Sequence, residues 1–129
     1  MSDRFISILY IEDNCDNRLL VKRIMEAEGF TVLEAGDAVE GLKLIKEKRP
    51  NLVLLDLNLP GIDGIAFTKF LRNDPQYETL PIIAITADLF RGSEERILSA
   101  GCNGYIQKPI DVDALPNQIR SFLGDVDRG

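Results

Sequence analysis

The stretch LVLLDLNLPGIDG, residues 52–64, runs four apolar residues directly into an acid and then into a Pro-Gly pair. Four consecutive apolar residues bounded by a turn signal describe a strand buried on both faces, as in a parallel sheet covered by helices on each side. An ionised carboxylate is costly in such a setting unless something matches its charge. What surrounds Asp56 therefore bears on both the fold and the chemistry.

Strand-like and helix-like segments alternate outward from this stretch. FISILYI (5–11), TVLEA (31–35), PIIAIT (81–86) and GYIQ (104–107) read as further strands. CDNRLLVKRIMEAE (15–28) predicts a helix with Leu20, Ile24 and Ala27 on its inner face and Gly29 as its stop. Asp37 with Glu40 resembles a capping box, opening a helix that aligns Ala38, Leu42 and Ile45 and ends before Pro50. A third helix is expected from about Gly64 to Asn73, with Phe67, Phe70 and Leu71 inward. Residues 91–100 form a weakly amphipathic helix anchored by Ile97 and Leu98, expected to be the least firmly packed. The last helix presents Leu115, Ile119, Phe122 and Leu123. With Asp113 as its N-cap, Pro116 falls where a missing N–H is harmless, so this helix is expected to start near residue 114.

The pattern is α/β, five βα units forming a doubly wound, flavodoxin-like parallel sheet. The all-apolar strands should be central and the mixed ones, 31–35 and 104–107, at the edges. The 129 residues suit a single domain with its core over about 5–124 and no output domain. A net charge of −6 argues against binding the phosphate backbone of nucleic acid. No apolar run nears the ~20 residues that span a bilayer. Two isolated cysteines without a secretory signal point to reduced thiols in the cytoplasm. With no histidine at all, Ser-His-Asp and Cys-His catalysis and His-ligated zinc are excluded. Acid chemistry is left.

In an open α/β sheet, functional groups collect at the carboxyl ends of the strands. Glu12 and Asp13 follow the first strand, Asp56 ends the third, Thr86 ends the fourth and Lys108 follows the fifth. Singly, each has an ordinary explanation as a cap, a strand residue or an exposed loop lysine; the coincidence at four strand ends does not. Clustered carboxylates repel, and a divalent cation relieves that repulsion. Oxygen-only ligands favour Mg²⁺ or Mn²⁺. A lysine and a hydroxyl opposite the metal suit phosphoryl oxygens, which leaves Asp56 as a nucleophile towards phosphorus.

YIEDN (10–14), LLDLNLPGIDG (54–64), AITA (84–87) and GYIQKPI (104–110) together resemble the motifs of a response-regulator receiver domain over nearly the whole chain. The resemblance implies strand order 2-1-3-4-5. It implies that Asp56 accepts a phosphoryl group from phosphohistidine on a sensor histidine kinase or histidine phosphotransfer protein, with Mg²⁺ as cofactor and Mn²⁺ as a substitute. Asp13 matches the direct metal ligand, Glu12 its acidic neighbour, and the backbone carbonyl of Asn58 a third protein ligand. Thr86 matches the switch hydroxyl, Lys108 its phosphoryl-pairing lysine and Tyr105 the aromatic switch residue. Lys108–Pro109 is then expected to be cis. Where many receivers carry two aspartates, this chain has Glu12 before Asp13. Asn58 and Asp88 occupy positions flanking the path of the hydrolytic water, which suggests a short-lived phosphoryl group.

Such a module is not an enzyme in the ordinary sense, though it catalyses its own phosphorylation and dephosphorylation. Its donor is expected near the first helix and the βα loops, and a downstream protein on the face formed by residues 91–123. Within that face, the segment around GSEERILSAGCNGYIQKPI is most similar to stand-alone regulators of the cell-cycle type and to receivers attached to hybrid kinases. A haloacid-dehalogenase-like phosphohydrolase would need an acid where Asn58 stands. A flavodoxin-like cofactor module would need a phosphate-binding loop where EDNCDN stands. A pseudo-receiver would not need Asp13, Asp56, Thr86 and Lys108 intact.

Overall fold

The opening stretch forms β3 (Leu52–Asp56), buried at every residue in the computed structural model, which describes residues 6–87, 89 and 92–127. Around it lie β1 (Ser7–Ile11), α1 (Cys15–Ala27), β2 (Thr31–Ala35), α2 (Ala38–Lys48), α3 (Gly64–Arg72), β4 (Ile82–Thr86), α4 (Ser93–Ala100), β5 (Gly104–Gln107) and α5 (Leu115–Asp127). All pairings are parallel and the strand order is β2-β1-β3-β4-β5, so the mixed strands β2 and β5 are the edges. Alternate residues of the strands feed two cores. Tyr10, Leu54 and Ile85 pack with Val21 and Met25 of α1 and Leu115, Ile119 and Leu123 of α5. Leu9, Val53 and Ala84 pack with Ile45 of α2, Phe67 and Leu71 of α3, and Ile97 of α4.

The helix ends follow local chemistry. Asp37 caps α2 by accepting from the Glu40 N–H at 2.8 Å, and the Glu40 carboxylate reaches back to the Gly36 N–H at 2.9 Å. The helix stops at Arg49, whose left-handed backbone (φ 48°) turns the chain into Pro50.

Three inner faces differ from expectation. On α1 the buried residues are Val21 and Met25, while Leu20 is 48% exposed, Ile24 half-buried and Ala27 exposed. Apolar residues at 19, 20, 21, 24 and 25 support two overlapping stripes, and packing against the sheet and the last helix selects the later one. On α3 the inward set is Gly64, Phe67, Thr68 and Leu71, spaced by three and four, which turns Phe70 out to solvent. The buried Thr68 hydroxyl is satisfied by the Gly64 carbonyl at 2.9 Å. On α4 Ile97 is buried with Ser93 and Ala100, and Leu98 is exposed.

The last helix begins at Leu115 after a turn, with Pro116 second, close to the expected start. Its capping oxygen belongs to Asp111 rather than Asp113. Asp111 Oδ1 accepts from the N–H groups of Asp113 and Ala114, and its carbonyl accepts from Leu115.

At the end of the sheet remote from Asp56, Arg72 ties three segments together. Its guanidinium donates to the carbonyls of Gly101 and Tyr77 and to Asn103 Oδ1. Gly101 is left-handed (φ 115°) and caps α4; a Cβ there would stand 2.6 Å from the Arg72 side chain. The opposite end of α4 begins at Gly92 without any side-chain capping hydrogen bond.

Candidate functional site

β1 and β3 end side by side, in register Ile11↔Leu55, and the residues just beyond bring Glu12, Asp13 and Asp56 together. One oxygen from each lies within 4.8 Å of the others. Glu12 and Asp56 are each 1% exposed, whereas Asp13 faces solvent. Lys108 arrives from beyond β5, where the Lys108–Pro109 bond is cis. Its Nζ is 2.8 Å from Asp56 Oδ2 and 3.9 Å from Glu12 Oε1. The other Asp56 oxygen accepts from the Asn58 N–H at 2.8 Å.

Two residues of α1 join the site without having been singled out in the sequence. Asn17 Nδ2 donates to Glu12 Oε1 at 2.8 Å, and Arg18 donates to the Glu12 carbonyl while facing Glu34 of β2 at 3.5 Å. Their position in the first turn after EDN is the one signal the sequence carries for them.

Thr86 is buried at the end of β4 but faces the other side of the sheet. It lines a hollow of about 200 Å³ with Asn58, Ser93 and Arg96. Across it the Asn58 amide oxygen accepts from the Ala87 N–H at 3.3 Å, linking the loops after β3 and β4. Tyr105 is half-buried on that same side, and a hydrogen bond to Glu94 pushes its phenol up. Asp88 lies outside the described residues.

The two buried acids titrate in opposite directions. Burial pushes the Glu12 carboxyl up to about 7, and hydrogen bonding to Asp56 adds to this. Burial also works against ionised Asp56, but hydrogen bonds from Glu12, Lys108 and the Asn58 N–H hold its carboxyl below the usual range.

A carboxyl raised on folding stabilises the protein below its unfolded value and loses that contribution as pH rises through its folded value. The metal-free protein is therefore expected to lose stability from the ordinary glutamate range up to about pH 7, with Glu12 as the source. Thermal unfolding followed across this window should show the decline, and Glu12→Gln should flatten it. A decline of equal size in Glu12→Gln would reject the assignment. A divalent cation held by these acids would compete with that proton, so any stabilisation by Mg²⁺ should grow as pH rises towards about 7.

The donor set fits a hard cation. It is oxygen-only, and buried Glu12 Oε2 has no hydrogen-bond partner among the described residues.

A doubly wound parallel sheet with clustered carboxylates and a lysine at its carboxyl edge is a flavodoxin-like fold built around an acidic site. Residues 8–120 match the model of the response regulator receiver domain, and the chain belongs to that family. It is thus a receiver domain of two-component signalling. The polar-differentiation response regulator DivK of Brucella anthropi is 40% identical over 119 residues, covering 92% of this chain and 97% of that one; DivK of Brucella ovis matches to the same extent. A CheY-like receiver domain protein from Methanospirillum hungatei superposes with a TM-score of 0.86 at 28% identity, covering 95% of this chain and 97% of that one. The chemotaxis protein CheY4 of Vibrio cholerae shares the fold, with a TM-score of 0.85 at 24% identity over 92% of this chain and 98% of that one. Among the described residues no helix is long and apolar enough to cross a membrane.

Proposed function

We propose that Asp56 is the phosphoacceptor of this receiver, taking a phosphoryl group from phosphohistidine on a sensor histidine kinase or histidine phosphotransfer protein. The observation that carries this reading is the buried Asp56 carboxylate held 2.8 Å from Lys108 within a cluster of three acids. An Asp56 oxygen forms a bond to phosphorus as the bond from phosphorus to the donor's imidazole nitrogen breaks. The imidazole keeps the electron pair, and an aspartyl phosphate results. Lys108 stays beside the acceptor and offsets charge on the equatorial oxygens.

Mg²⁺, or Mn²⁺ in its place, would be held by Glu12, Asp13, Asp56 and the Asn58 carbonyl, where it would neutralise the clustered carboxylates and the incoming phosphoryl charge. The Thr86 hydroxyl approaches a phosphoryl oxygen once the group is attached, and Tyr105 turns into the space that Thr86 leaves. For Tyr105 this means giving up Glu94. The altered surface over residues 91–123 then engages a downstream protein. Dephosphorylation is attack by water on phosphorus with Asp56 leaving as carboxylate, its rate tuned by Asn58 and Asp88. The setting is the cytoplasm.

Incubation with acetyl phosphate followed by intact-mass measurement tests the chemistry. One phosphoryl adduct is expected with Mg²⁺ and none when the metal is chelated. Wild type that gains no adduct with Mg²⁺ present would overturn the reading.

A further inference from the structure

Tyr10 is fully buried in the middle sheet layer, yet its hydroxyl has no hydrogen-bond partner among the described residues. A buried hydroxyl without a partner is costly, and phenylalanine would fill the same space without that cost. Just beyond the end of the strand, Glu12 carries the complementary defect: its Oε2 is buried and has no hydrogen-bond partner among the described residues. A phenol offers the donor that such an oxygen requires.

The surroundings join the two. Tyr10 lines a pocket of about 330 Å³ with Asn17 and Lys108, the two side chains that reach Glu12 Oε1 at 2.8 and 3.9 Å. The rest of the wall is Leu20, Val21, Pro109, Ile110 and Val112, none with a polar side chain to offer the phenol. Burial, and after it the charges of Glu12 and Asp56, disfavours ionisation of the phenol, which keeps it a donor.

We propose that Tyr10 is a positioning residue of the cation site, its hydroxyl donating to the Glu12 carboxylate, directly or through one water, when Glu12 faces Mg²⁺. Outer partners of this kind orient ligand carboxylates and raise metal affinity. The inference rests on the Mg²⁺ reading given above and adds to it a residue that touches neither metal nor phosphoryl group.

Tyr10→Phe, compared with wild type by calorimetric titration of Mg²⁺, is the test. The dissociation constant is expected to rise roughly 10-fold, the low end for loss of an outer partner. The metal-free melting temperature should stay level or increase, because the unpaired hydroxyl is gone. In a Glu12→Gln background the same change should leave Mg²⁺ affinity nearly untouched. Unchanged affinity in Tyr10→Phe, or an equal loss in the Glu12→Gln background, would overturn the proposal. Wild type that binds no Mg²⁺ would instead remove the cation reading on which it stands.

Discussion

Asp56→Asn takes up no phosphoryl group from acetyl phosphate and Mg²⁺ under conditions that modify wild type fully: this is the expected result, read by intact mass. An amide oxygen can still accept the Asn58 N–H now made to Asp56 Oδ1 at 2.8 Å, so the loop keeps its shape. What goes is the proposed nucleophile and the negative charge opposite Lys108. The same substitution removes the acid that helps hold the Glu12 proton, so the Glu12 carboxyl should fall from about 7 towards the ordinary range. The loss of metal-free stability with rising pH should shrink accordingly. An adduct that persists in Asp56→Asn would place the acceptor elsewhere and overturn the central assignment.

Leu54→Ala should have the largest effect on stability. Leu54 is fully buried at the centre of β3, paired with Tyr10 on β1 and Ile83 on β4. Strands flank it on both sides and helices cover both faces, so the backbone has little freedom to close the space left. A loss of about 2–5 kcal/mol is expected for truncation at a site that cannot collapse. Set against total stabilities of about 5–15 kcal/mol, this brings the domain near its unfolding threshold. Urea denaturation measures it, and a change below about 1 kcal/mol would mean that the core repacks around the truncation.

The strands were legible because a residue buried on both faces leaves no ambiguity in sequence: LVLLD and PIIAIT could be little else. Helix phase was harder. Leu20 and Val21 are equally apolar, and only contact with the sheet decides which one turns inward; Phe70 shows the same limit on α3. The acids and Lys108 could be grouped in advance because parallel topology sends every strand end to one edge. That topology does not say which way an end residue points, so the separation of Thr86 from Asp56 emerged with the structure. The supporting contacts of Asn17, Arg18 and Tyr10 depend on side-chain direction and burial, which a strand pattern does not encode.

The contrast between the two ends of α4 limits how that helix can respond. Arg72 holds the Gly101 end through a hydrogen bond to its carbonyl, while at the other end, nearer Thr86, the Gly92 cap makes no side-chain hydrogen bond and Glu94 reaches Tyr105 instead. A helix of eight residues is about 12 Å long. If the helix tilts about Gly101, a shift of about 2 Å beside Thr86 corresponds to roughly 10° and breaks the Glu94–Tyr105 contact. Displacement is then greatest beside the acidic edge and fades towards Arg72. A partner sensing the state of this receiver would read an angle, and the guanidinium of Arg72 sets where that angle is measured from.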